Sequence, residues 1–162
     1  MYMRNALLTI GLLCICSLGA LSGCGKRRDK AYEGTCVVGA VIQSNLTKLK
    51  AYDMAGFDLN AQDTNHFNWT PLIASIYYGH SNITFYLIQR GVDVCVRGGT
   101  GNTALMQAIQ EGDTNTGRLL IEQRGAELKK CEDWSKIKSM IISTQDDKDW
   151  KEWSNILHGL IN

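Results

Sequence analysis

Read only for the spacing of its apolar residues, the chain opens on a largely apolar run and then settles into short helical stripes. The run, Ala6 to Leu18, is shorter than the roughly 20 apolar residues that a bilayer-spanning helix needs. Farther on, Leu72, Ser75 and Ile76 share one helical face, and Ile83, Leu87 and Ile88 share another. Thr70 can cap the first of these helices through its hydroxyl, and Pro71 suits the first helical position. Gly91 follows the second, where a left-handed residue can end a helix. Near the C-terminus Trp134, Ile137, Met140 and Ile141 fall at helical spacing, as do Trp150, Trp153, Leu157 and Leu160. Asp146, Asp147, Lys148, Asp149, Lys151 and Glu152 keep the outer side of that segment wet. The single proline agrees with an all-α chain.

The stripes recur. Thr35-Cys36-Val37-Val38-Gly39-Ala40-Val41 aligns with Thr70-Pro71-Leu72-Ile73-Ala74-Ser75-Ile76 and with Thr103-Ala104-Leu105-Met106-Gln107-Ala108-Ile109, at spacings of 35 and 33 residues. A second anchor follows each copy: Gly56-Phe57-Asp58-Leu59-Asn60, Gly91-Val92-Asp93-Val94-Cys95 and Gly125-Ala126-Glu127-Leu128-Lys129. A period of about 33 residues with two internal anchors resembles the ankyrin repeat. The middle copy is the nearest to the family pattern, with Thr70-Pro71-Leu72, Gly79-His80 and Leu87-Ile88-Gln89-Arg90-Gly91. The resemblance implies a short ankyrin-repeat solenoid of about three divergent repeats, each a pair of antiparallel helices and a projecting β-turn finger. Residues 35–131 form the repeats, and residues 132–162 form a helical cap or a degenerate fourth repeat. The copies depart from the family where Val38, Ile73 and Met106 replace its histidine, where the first copy lacks proline, and where the third gains one residue before Gly125.

Ankyrin proteins meet their partners through the finger tips and the exposed end of each first helix. Carried over copy by copy, the resemblance implies partner contacts at His66, Phe67, Trp69, Tyr77, Tyr78 and Arg90 in the middle repeat. Tyr32 joins them from the first copy, and Asn102, Gln110 and Glu111 from the third. Trp, Tyr and Arg are the usual interface anchors, so Trp69 and Tyr78 are expected outside the core. The alternative is that Phe67 and one tyrosine pack between repeats. The cap tryptophans read as core.

The N-terminus adds an address. Arg4, the apolar run and Leu21-Ser22-Gly23-Cys24 resemble a bacterial lipoprotein signal peptide spanning residues 1–23. That resemblance implies acylation (palmitate among the chains) of Cys24, followed by a tether over residues 24–34. Gly25 in place of aspartate favours an outer-membrane lipoprotein facing the periplasm. Lys26, Arg27, Arg28 and Lys30 either sit near anionic headgroups or are simply solvated. Without residues 1–23 the chain carries 16 basic and 16 acidic side chains, which argues against a nucleic-acid partner. Cys36, Cys95 and Cys131 then form an odd set in an oxidising compartment. At most one disulfide is expected, with Cys95–Cys131 the leading pair, and buried free thiols are the alternative.

The sequence holds no Gly-x-Ser-x-Gly, P-loop or His-Glu-x-x-His motif, so no enzyme, cofactor or metal site is expected. A small ankyrin array with a periplasmic address resembles the immunity lipoproteins of the Tli type, paired with type VI secretion lipase effectors. That resemblance implies a membrane-anchored phospholipase inhibitor. The alternative is an envelope scaffold or stress-protection lipoprotein with an endogenous partner.

Overall fold

A computed structural model describes residues 30–143 and 147–161. Among the described residues eight helices follow in order: α1 Lys30–Ile42, α2 Leu46–Met54, α3 Pro71–Tyr77, α4 Ser81–Gln89, α5 Ala104–Gln110, α6 Thr114–Cys131, α7 Trp134–Ser143 and α8 Asp147–Ile161. Odd-numbered helices stack on one another as an inner row, and α2, α4 and α6 lie outside them. The element pattern is that of three ankyrin repeats, with α7 and α8 closing the stack. Among the described residues there is no strand, only a single bridge between Asp63 and Trp69. No helix among them is long and apolar enough to cross a membrane.

Local chemistry sets these boundaries. Thr70 and Thr103 are extended, and their hydroxyls accept from the backbone N–H of Ile73 and Met106, capping α3 and α5. The same loop repeats at the ends of α1, α3 and α5. The His80 N–H donates to Ser75 O and the Gly79 N–H to Ile76 O, closing α3 around Gly79 at φ 68°. Asp113 and Gly112 close α5 in the same way. Ser44, at φ 53°, takes the glycine's place after α1.

Two expectations change here. The tether expected to run to residue 34 is helical from Lys30, so Thr35 lies inside α1 rather than before it. Cys36 stands where Pro71 marks a helix start, and Ala31 and Glu33 suit a helix, so nothing breaks the chain there.

The second change is larger. Gly125 does not open a finger; α6 passes it with a kink at Arg124 and runs on to Cys131. In the first two copies Asp58 accepts from the Asn60 N–H and Asp93 from the Cys95 N–H, each making a tight side-chain turn. The third copy has Glu127, one methylene too long for that turn, beside the helix formers Ala126, Leu128 and Lys129. Leu128 is buried, and Arg124 pairs with Glu127 at 2.6 Å, so the helical extension is held.

The core is continuous from Val37 to Leu157. Its repeat junctions differ. Thr35 Oγ1 donates to the buried Asp63 at 3.0 Å, and Thr103 Oγ1 donates to the buried Glu132 at 2.6 Å. Between the second and third repeats the junction is apolar: a Cβ at Gly98 would lie 3.0 Å from the Trp69 ring. In the cap, Trp153 is fully buried against Gly117 of α6.

Candidate functional site

The first described finger, residues 63–69, is built around one buried carboxylate. Asp63 accepts from Thr35 Oγ1 and from the Asn65 N–H, and it meets His66 Nδ1 at 2.6 Å. Its own N–H donates to Trp69 O, and the Trp69 N–H donates to His66 O. Phe67 and Asn68 turn the chain at φ 53° and 51°, the left-handed pair of a type I′ hairpin turn. Asparagine tolerates that conformation, whereas a bulky phenylalanine rarely adopts it. The turn throws the Phe67 ring outward, 70% exposed.

Phe67 tops an aromatic cluster. Its ring centroid is 5.5 Å from Trp69, which is 4.6 Å from Tyr77 and 6.2 Å from Tyr78. Tyr77 and Tyr78 meet edge to face at 5.1 Å, and Tyr78 stacks on His80 at 6.0 Å. Both tyrosines stand at the open end of α3 and are exposed. Finger tip and helix end thus present one aromatic surface. Around it lie His66, half exposed, and Asn68, exposed.

Three expected contact residues lie elsewhere. Trp69 is only 6% exposed and belongs to the core, which corrects the expectation that it stands outside. The corresponding positions before the repeat threonines are Gly34 and Asn102, so only this junction needs a large apolar filler. Trp69 supplies it, folding under Phe67 and against Gly98. Arg90 sits on the outer helices, bound to Asp53 through Nε at 2.6 Å and Nη2 at 2.9 Å. Burial pushes the Asp53 carboxyl up, but hydrogen bonds from Arg90 and the Tyr86 hydroxyl, with the Arg90 charge, hold it below the usual range. Burial and the Asp53 carboxylate push Tyr86 up to about 12. Arg90 is therefore part of a satisfied structural group. Asn102 is buried, donating to Gln110 Oε1 at 2.9 Å and accepting from Lys136 Nζ.

Gln110 and Glu111 are exposed at the end of α5. The side chain of Tyr32 and the whole of Cys24 lie outside the described residues. Cys95 and Cys131 form a disulfide with Cα atoms 5.7 Å apart. Cys131 lies at the end of α6, not on a neighbouring finger. Cys36 is disulfide-bonded too, which exceeds the expected single bridge. The remaining cysteines, Cys14, Cys16 and Cys24, lie outside the described residues.

The residues that hold the finger still carry little sequence signal. Gln62 Nε2 donates to Asn68 O at 2.8 Å and to Arg97 O at 2.9 Å, tying two fingers together. The Gly99 N–H donates to Phe67 O at 2.6 Å, and a Cβ at Gly99 would lie 2.5 Å from that oxygen. The one available signal is the run Gly98-Gly99-Thr100-Gly101, where backbone can approach backbone. Among the described residues no group of three or more His, Cys, Asp or Glu side chains could hold a metal ion.

The family model of ankyrin repeats (3 copies) matches residues 38–130, more than half of the chain. Ankyrin repeat and SAM domain-containing protein 6 from Rattus norvegicus is 40% identical over 65 residues. Its counterpart from Mus musculus is 38% identical over 65 residues. Each alignment covers 39% of this chain, and the chain spans only 7% of the length of these relatives.

Proposed function

We propose a function from one premise: the chain belongs to the ankyrin-repeat family, whose repeats are protein-binding modules. Its finer role is that of a membrane-anchored immunity protein, which binds and neutralises a type VI secretion phospholipase effector at the periplasmic face of the outer membrane. The supporting observation is the aromatic surface of Phe67, Tyr77 and Tyr78, exposed yet fixed over the buried Trp69. Rigid aromatic anchors bind with little ordering cost, because their geometry is set before the partner arrives. The anchor reading rests on the lipobox-like Leu21-Ser22-Gly23-Cys24, and it competes with the Cys36 disulfide for the remaining cysteines. More than one acyl chain on Cys24 would make the attachment stable.

The decisive experiment titrates the chain into a type VI phospholipase effector while vesicle hydrolysis is followed. The wild-type chain should suppress hydrolysis. Phe67→Ala/Tyr78→Ala should raise the dissociation constant by about a hundredfold, since two anchors near 1.4 kcal/mol each combine. Absence of any complex sinks the immunity role and leaves an envelope scaffold with an endogenous partner. The anchor has its own test in peptide mapping of the native protein. A Cys24 thioether bearing acyl chains supports it; a disulfide between Cys24 and Cys36 rules it out.

A further inference from the structure

The finger that carries Phe67 is not held by its own repeat alone. Its tip meets the next finger at two points, the Gly99 N–H on Phe67 O and Gln62 Nε2 on both Asn68 O and Arg97 O. Arg97 in turn reaches away from the tip. Its Nη1 donates to Gly101 O at 2.9 Å, and its Nη2 donates to Cys131 O at 3.3 Å. Cys131 is bonded to Cys95 at the start of the same second finger. The disulfide therefore clamps both ends of a short relay. Cys95 fixes where the second finger leaves the stack, and Cys131 fixes the carbonyl on which Arg97 rests.

That clamp stands where the array is weakest. The third repeat has no finger of its own, because α6 continues through Gly125 to Cys131. In the first pair of repeats a finger is supported by the finger that follows it. The second finger has no such neighbour, and the bond to the end of α6 stands in for one. Loss of the bond frees a segment rich in glycine, Gly98 to Gly101, whose backbone entropy favours release.

We propose that the Cys95–Cys131 disulfide is a brace, relayed through Arg97, Gly99 and Gln62, that holds Phe67 in its presenting position. Reduction by a dithiol transfers two electrons and two protons to the bond. It leaves Cys95 and Cys131 as thiols and the reductant as its own disulfide. The second finger then loosens, and Phe67 loses the Gly99 contact that pins its left-handed backbone. This inference rests on the aromatic finger being the binding surface. Its test uses no partner, so brace and binding surface stand or fall separately.

The test is backbone hydrogen exchange followed by NMR on the oxidised chain and on Cys95→Ser/Cys131→Ser, which removes this bridge and leaves Cys36 untouched. In the variant, exchange at the Gly99 and Trp69 amides should accelerate about tenfold more than at Ile83 and Leu87 in α4. Equal acceleration at all four amides would mean that the bond supports only global stability, and the brace would be overturned. Unchanged exchange at Gly99 would overturn it as well. Arg97→Ala keeps the disulfide and cuts the relay, so it should loosen Gly99 selectively even if the double variant does not fold. An Arg97→Ala chain with a fully protected Gly99 amide removes the relay from the account.

Discussion

At the scale of single residues, neighbouring aromatics have opposite jobs. Phe67 and Tyr78 face solvent, while Trp69 fills a repeat junction. Trp69→Ala should cost about 3–5 kcal/mol in chemical denaturation, as a large buried truncation. Trp69→Phe should cost far less, because it keeps a ring and discards a buried Nε1–H that has no partner. Tyr78→Ala should leave the denaturation midpoint nearly unchanged; a loss as large as that of Trp69→Ala would place Tyr78 in the core. Ser44 provides a reverse case. It holds φ 53° where the other inner helices end on Gly79 and Gly112, so Ser44→Gly should stabilise by about 0.5–1 kcal/mol. An unchanged midpoint would mean that the conformation carries no net cost. The family resemblance implies an aromatic surface on this finger, but it does not show which ring turns inward. Trp69 aligns with Gly34 and Asn102, and neither carries an apolar signal at that position.

At the scale of elements, most boundaries were legible because each has a local cause. Thr70 and Thr103 cap their helices, Pro71 opens one, and Gly79 and Gly91 end two. The third finger misled because Gly125 matches the repeat in residue type but not in context. The turn depends on the aspartate two residues after the glycine, and Glu127 cannot make it. The cap shows the converse, a contact that the stripe of Trp153 and Leu157 predicted only in part. The stripe gives the buried face of α8 but not its landing place, which is Gly117 on α6. A methyl group there would lie 2.2 Å from the edge of the Trp153 ring, so Gly117→Ala should destabilise by about 1–3 kcal/mol despite alanine's better helix propensity. In a Trp153→Leu background the same change should become neutral or favourable. Additive losses in that double-mutant cycle would show that Gly117 and Trp153 do not share a contact.

At the scale of the whole molecule, stability is a chain of nearest-neighbour junctions, as in any stacked array. The chemistry of each junction therefore decides which conditions separate the stack. The junction at Trp69 and Gly98 is filled by an apolar contact, whereas the one joining the third repeat to the cap buries a carboxylate. Burial raises the Glu132 carboxyl above its ordinary value of 4.5, against the hydrogen bond from Thr103 and the nearby charges of Arg97 and Lys136. Its second oxygen is buried without a partner. An acid whose folded pKa is raised is penalised when ionised. Its contribution to stability is fully present below about 4.5 and is lost as pH rises through the folded value. Glu132→Gln keeps an acceptor for Thr103 Oγ1 and cannot ionise. The variant should exceed the wild type in stability at pH 7, and the gap should close as pH falls below about 4. Asp53 has the opposite sign. Its lowered pKa stabilises above its ordinary value of 3.8 and is lost in more acid solution, equally in both chains. Denaturation curves of the pair between pH 3 and pH 8 isolate the junction, because every other titrating group cancels in their difference. A gap that widens toward acid would show that the Glu132 carboxylate stabilises the cap, with Arg97 and Lys136 outweighing its burial.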